Sequence, residues 1–314
     1  MKAIITAVAA FAAAAAAAPT SNNLQTIRRA MPAITDADIL NYALTLEHLE
    51  DKFYREGLAN FTQADFAAAG FDATFYSNLK TVSSDETTHV AFLTGAITKA
   101  GYTPVAECVY NFGALTPKTF VATASILEGV GVSAYLGAAA EIMSAAYLTA
   151  AGSILTVESR HSSYIRASLG QSPFPSPFDT PLTLNEVYTM AAQFIVSCPS
   201  SNPALPVKAF PTLSSAPSNG PITVGSTITL LTPGSVVTAA DGKSQIYAAF
   251  ITVTGPVFAP ATATTGGFTV TVPKAPEGSA PISGQTYVVL TGCNTTVTDD
   301  TVAAGPAFFE VGPL

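Results

Sequence analysis

A bundle of four helices with a short fifth, followed by a small all-β antiparallel sandwich, is the architecture encoded by this 314-residue chain. Three features point there. Apolar residues recur at helical spacing over residues 34–198 and switch to alternation after residue 221. Within the helical part, two copies of Glu-x-x-His, Glu86/His89 and Glu158/His161, take two of the three histidines and fill slots where leucine is expected. A Pro/Ser-rich stretch, residues 199–220, separates the two parts as a linker.

The elements follow in order. Residues 1–18 carry Lys2, an alanine-dominated apolar run and small residues before Pro19, which reads as a secretory signal peptide too short for a membrane anchor. Residues 19–33 form an N-terminal segment in which Arg28-Arg29 is either a propeptide cleavage site or an ordinary exposed pair. Thr35-Asp-Ala-Asp38 offers a cap and an acidic first turn for helix one, whose inner face carries Leu40, Ala43, Glu47, Glu50, Tyr54 and Leu58. Helix two runs from Phe75 through Leu79, Val82, Glu86, His89 and Leu93 to Ile97. The long connection 102–117 lets helix three run parallel to helix two, with Val121, Ala124, Glu128, Gly131 and Tyr135 inward. A short link through Met143 leads into helix four, with Tyr147, Ala151, Ile154, Glu158, His161 and Ile165 on one face. Residues 171–181 are proline-rich and extended, and 183–196 form the short fifth helix. Strands are expected at 221–231, 244–253, 267–272, 285–290 and 307–311, a spacing that suits an immunoglobulin-like sandwich over 221–314. That region lacks histidine and tryptophan and holds no catalytic constellation; it either attaches the protein to a cell wall or partner, or only packs on the bundle.

Glutamates in an apolar stripe need compensation, because an unpartnered buried carboxylate costs several kcal/mol. Glu47 with Tyr54, and Glu128 with Tyr135, pair with the two Glu-x-x-His helices as an internal two-helix repeat. One glutamate from each of two helices plus Glu-x-x-His from each of the other two is the ligand set of di-iron and di-manganese bundles. Four carboxylates, about −4 in charge, ask for two divalent ions, and mixed carboxylate and imidazole donors suit iron or manganese. Glu50 shares the inward face with Glu47, but its counterpart in the repeat is Gly131, so the repeat favours Glu47 as ligand and leaves Glu50 beside the set. Tyr54 and Tyr135 are either donors to the carboxylates or core aromatics.

At these positions the chain resembles the ferritin-like superfamily, and more closely the secreted ferritin-like proteins of fungi and plants known as stress-response, late sexual development or desiccation-related proteins. LTLEHLEDKFY at 44–54, SDETTH at 84–89 and ILTVESRHSSY at 154–164 carry the resemblance, which spans residues 34–198. It implies a metal centre at Glu47, Glu86, His89, Glu128, Glu158 and His161, and an association with stress or development. The expected function is a secreted di-metal protein with redox chemistry on peroxide, dioxygen or ferrous iron, in the manner of a catalase or ferroxidase. The alternative is a non-catalytic protective protein of the extracellular space or cell wall.

Asn60-Phe-Thr62 and Asn294-Thr-Thr296 are glycosylation sequons. Of three cysteines, Cys108 and Cys198 are the favoured disulfide, since both lie in connections of the helical part; a bond to Cys293, or three free thiols, stays open. A net charge of −8 without a basic cluster excludes nucleic acid as partner, and no other segment is expected to reach a membrane-spanning length. N-terminal sequencing of secreted protein should find the first residue near Pro19, or at Ala30 if the dibasic pair is processed. Retention of Met1 would remove the extracellular expectation.

Overall fold

The computed structural model describes residues 34–218, 220–238 and 245–312; residues 1–18, expected as a signal peptide, and the segment 19–33 lie outside the described residues. From Thr35 onward the chain forms one compact unit. Helix α1 (Asp36–Asn60) starts at a capping box, in which the Thr35 side chain accepts from Asp38 N at 3.2 Å and Asp38 accepts from Thr35 N at 2.9 Å. A short helix α2 (Gln63–Ala68), not anticipated from the sequence, occupies the turn to α3 (Ala73–Lys99), which Asp72 caps. Helix α4 (Pro117–Ala138) begins with proline at its first turn, where the missing N–H costs nothing. A single turn of 3-10 helix leads to α5 (Ala145–Ser168). The α3 positions buried in the bundle include Phe75, Leu79, Val82, Glu86, His89, Leu93 and Ile97, the expected stripe.

Helix α4 is long and apolar enough to cross a membrane, which corrects the expectation that no such segment follows residue 18. Its burial in the bundle, and Glu128 at mid-length, explain its composition as that of a core helix.

The connection after α3 is pinned rather than loose. Asn41 of α1 donates to Thr103 O at 3.2 Å and accepts from Val105 N at 2.8 Å. Strand β1 (Val109–Tyr110) then pairs with β2 (Ile195–Ser197), and the Cys108–Cys198 disulfide lies beside that pair, leaving Cys293 free. The fifth helix is therefore shorter than expected: α6 (Leu184–Ala191) stops and the chain turns into β2.

Two four-stranded antiparallel sheets follow. One has the order β10–β9–β5–β6, from β10 (Val302–Val311), β9 (Gly284–Thr291), β5 (Tyr247–Phe250) and β6 (Val257–Pro260). The other has the order β3–β4–β8–β7, from β3 (Ser214–Ser215), β4 (Thr227–Leu231), β8 (Gly267–Thr271) and β7 (Thr262–Thr264). Ile228, Leu230 and Val270 meet Phe250, Val288 and Leu290 in a shared core. The stretch expected as a linker is built into the fold: Leu213 is buried, β3 joins a sheet, and Lys208 N and Phe210 N donate to Asn185 and Thr189 of α6 at 2.6 and 2.9 Å.

The sheet carrying β9 is apolar on both faces, as period-2 alternation allows. Val288 and Leu290 point into the sandwich, while Tyr287 enters the bundle core. There its hydroxyl donates to Gly129 O at 2.9 Å and lies 3.1 Å from Ser133 Oγ. Arg166 of α5 and Glu310 of β10 add a two-pronged ion pair across the same contact.

Replacing Cys108 or Cys198 by serine should lower the unfolding free energy by about 2–4 kcal/mol, because the bond closes a long loop. Cys293→Ser should change it little. Denaturant titration of the three variants checks this, and an equal loss at all three would contradict the assignment.

Candidate metal centre

Each of the four long helices brings its glutamate to the same level of the bundle. Glu47, Glu86, Glu128 and Glu158 are completely buried, and His89 and His161 nearly so. The helical period accounts for this: each residue falls on the stripe that faces the bundle axis. Their donor atoms form two groups, each within 4.8 Å: Glu47, Glu86, His89 and Glu158 in one, and Glu86, Glu128, Glu158 and His161 in the other. Glu86 and Glu158 belong to both, so they occupy the middle, with one glutamate and one histidine at either end.

His89 Nδ1 lies 3.2 Å from Glu47 Oε2, 3.1 Å from Glu86 Oε2 and 3.3 Å from Glu158 Oε1. His161 Nδ1 lies 3.1 Å from Glu86 Oε1 and 3.3 Å from Glu128 Oε2. The second set is close without being bonded: His161 Nδ1, Glu86 Oε1, Glu128 Oε2 and both Glu158 oxygens have no hydrogen-bond partner. Around His161 the donors converge on a common point without engaging one another, as ligands around a cation do, whereas His89 Nδ1 hydrogen-bonds Glu47 Oε2 and Glu86 Oε2.

The electrostatics agree. Burial, opposed by the two histidines, raises the Glu86 acid to about 7. Burial and then Glu86 push Glu158 well above the carboxylate range. Burial on its own would lower His89 and His161, but the surrounding carboxylates raise them to about 12 and about 11. Without a cation the cluster holds extra protons, and a cation is what would release them. The donors are oxygen and nitrogen only, since Cys108 and Cys198 are joined to each other. The residues therefore fit divalent iron or manganese.

The tyrosines left open by the sequence are donors. Tyr54 of α1 donates to Glu128 Oε1 of α4, and Tyr135 of α4 donates to Glu47 Oε1 of α1. Each hairpin thus holds the end glutamate of the other. Burial, then the accepting carboxylate, pushes both phenols well above 10, so they remain protonated. Glu50 is buried next to the cluster but supplies no atom to either group, and its acid is raised first by burial and then by Glu158. Gly131 makes that arrangement fit: a Cβ there would lie 2.8 Å from Glu158 Oε2 and 3.1 Å from Glu50 Oε1.

Asp85 was missed by sequence reasoning. Its Oδ2 accepts from His161 Nε2 at 3.2 Å and so orients the ring that faces the cluster. The signal was its position next to Glu86, but the repeat hid it, because Val157 stands before Glu158. His48 turns away and meets Val105 O at 3.1 Å.

Residues 35–171 match the family described as the ferritin-like domain. The chain is also similar to protein rds1 of Schizosaccharomyces pombe, 25% identical in an alignment that covers 88% of this chain and 81% of that one. That span is too long to be confined to the helices, so the likeness reaches into the strands. The part that carries all six converging side chains is thus the part, residues 35–171, that matches the ferritin-like domain.

Proposed function

We propose that the protein binds two divalent ions, iron or manganese, between Glu47, Glu86, His89, Glu128, Glu158 and His161, and uses them in redox chemistry on peroxide, dioxygen or ferrous iron. The observation that carries this reading is the convergence of six buried side chains in two groups that share Glu86 and Glu158, with five of their donor atoms lacking a hydrogen-bond partner. A metal pair held there would supply a store of two electrons. The chain's own residues hold it. Tyr54 and Tyr135 fix the end carboxylates, Asp85 fixes the His161 ring, and the surrounding apolar side chains keep water out.

The extracellular setting is part of the proposal. It draws support from the composition of residues 1–18, the disulfide, and the exposure of Asn60 and Asn294 at the two sequons. A role in stress or development rests on the family resemblance. The second reading is a non-catalytic protective scaffold of the extracellular space or cell wall. The double-faced packing of the β9 sheet favours it, since it welds bundle and sandwich into a single body.

Elemental analysis together with peroxide, dioxygen and ferrous-iron consumption assays separates the two readings. Metal with turnover supports the first, metal without turnover the second, and absence of metal from protein made by its native route overturns the metal centre itself. Glu128→Ala and Glu47→Ala should each remove most of the bound metal, while Glu50→Ala should retain most of it. Loss in Glu50→Ala with retention in Glu47→Ala would shift the α1 ligand by one turn.

Metal and pH should act with opposite signs. In the stripped chain Glu86 takes its proton at about 7 when folded, against 4.5 for an unperturbed glutamate. The folded state thus binds more protons over that window and loses stability as pH rises through it. His89 and His161 have the same sign above 6.5, up to about 12 and about 11. Ion binding displaces those protons and strengthens as pH rises. The gap in melting temperature between loaded and stripped protein should therefore widen from about pH 5 to about pH 8. A constant gap would mean that the cluster does not bind the ion.

A further inference from the structure

Beside the carboxylate cluster lies a cavity of about 200 Å³ that the metal centre does not require. Its rim is made by Thr123 of α4, Gln193 just after α6 and Phe308 of β10, which are half-exposed or exposed. Buried Leu49, Val130 and Met190 form its walls. Glu50 and Gly131 line its deep end, on the side of the cluster. The space thus runs from the surface, through an apolar neck, to one carboxyl group.

Size and polarity restrict what fits. An engineered apolar cavity of about 150 Å³ takes up benzene, so this one accommodates a ring-sized body with a small substituent. Its lining is apolar almost throughout and offers a water molecule too few partners to replace bulk solvent. Glu50 is the exception. It is 5% exposed and makes no hydrogen bond or ion pair with another described residue. A carboxyl left in that condition gains from any ligand that brings a donor to it.

We propose that this cavity is a binding site for a small organic molecule with an apolar, ring-sized body and one hydroxyl group, seated with the hydroxyl on Glu50. The absent side chain of Gly131 decides where that hydroxyl lies, because it leaves Glu50 Oε1 and Glu158 Oε2 facing each other across the glycine. The ligand is thereby held alongside the metal centre without replacing one of its six donors. Since Phe308 comes from the sandwich and Gln193 from the end of the helical part, the site exists only when both parts are in place. The inference rests on the di-metal reading in one respect, that Glu158 belongs to the ions; binding itself does not depend on their presence.

The test is calorimetric titration of the full chain with benzyl alcohol and with toluene, each in stripped and in metal-loaded protein, with metal content measured on the same samples. Both compounds should bind with one-site stoichiometry in either state. Glu50→Met should weaken benzyl alcohol by about fivefold or more, the cost of an unmade hydrogen bond, and leave toluene unchanged or tighter. Thr123→Trp, which fills the neck, should weaken both by about tenfold or more; Gln193→Trp, from the other side of the rim, serves the same purpose should the first variant fold poorly. Metal content should not change in the rim variants. No binding of either compound would overturn the proposal, as would binding that the rim variants leave intact. Equal effects of Glu50→Met on both compounds would overturn the hydroxyl-bearing class. Because the stripped protein is titrated as well, a chain that never holds metal would refute the metal centre while the cavity is still tested independently.

Discussion

Four carboxylates enclosed with two imidazoles in an apolar bundle set the terms for the rest of the molecule. Like charges in a medium of low polarity repel strongly and cannot be screened by salt. The chain answers with protons when no cation is at hand, as the raised acids of Glu86 and Glu158 record. It also encloses the cluster among packed apolar side chains, so that whatever neutralises it must fit between them. Everything nearby serves that fixation, including the crossed tyrosines and the outward aspartate on His161.

Small residues matter as much as charged ones in this setting. Helices α1 and α4 are the most buried of the four, and glycines of α4 let neighbours approach where an alanine would collide. At Gly137 a Cβ would lie 1.8 Å from the backbone oxygen of Leu182, so the segment leading to α6 could not pass so close to the helix. At Gly131 the same absence leaves room for two carboxyl groups. Glycine in a helix interior costs about 1 kcal/mol relative to alanine; here the loss is offset by contacts that no larger residue permits.

The helical part was legible because burial in a bundle imposes a period, and residues that violate an apolar period are conspicuous. Glu86 and Glu158 stood out as charge in a stripe of leucine-like positions, and the repeat then selected Glu47 and Glu128. What lacked a period was not legible. Asp85 acts from the rim of its helix, where polar residues are ordinary. Strands β6 and β7 and the pairing of Ser214 and Ser215 with β4 are too short to show alternation. The linker 199–220 has the composition of exposed chain, yet hydrogen bonds to α6 fix its backbone, and side chains such as Asn185 that make them give no sign of it in sequence. The function of Tyr54 and Tyr135 turned on a contact between hairpins, which spacing within one helix cannot reveal.

The sheet formed by β10, β9, β5 and β6 is covered on both faces along β9. Tyr287 belongs to the bundle's interior, with Ile251 and Phe308 packed against it, and Val288, Leu290 and Phe309 belong to the sandwich's. The segment matched by the ferritin-like family, residues 35–171, is smaller than the compact unit that the chain forms from Thr35 onward. Cut out on its own, it would bare a sticky flank where the sheet had rested. The boundary of the family match and the boundary of the compact body thus differ, and the second runs nearly to the end of the chain.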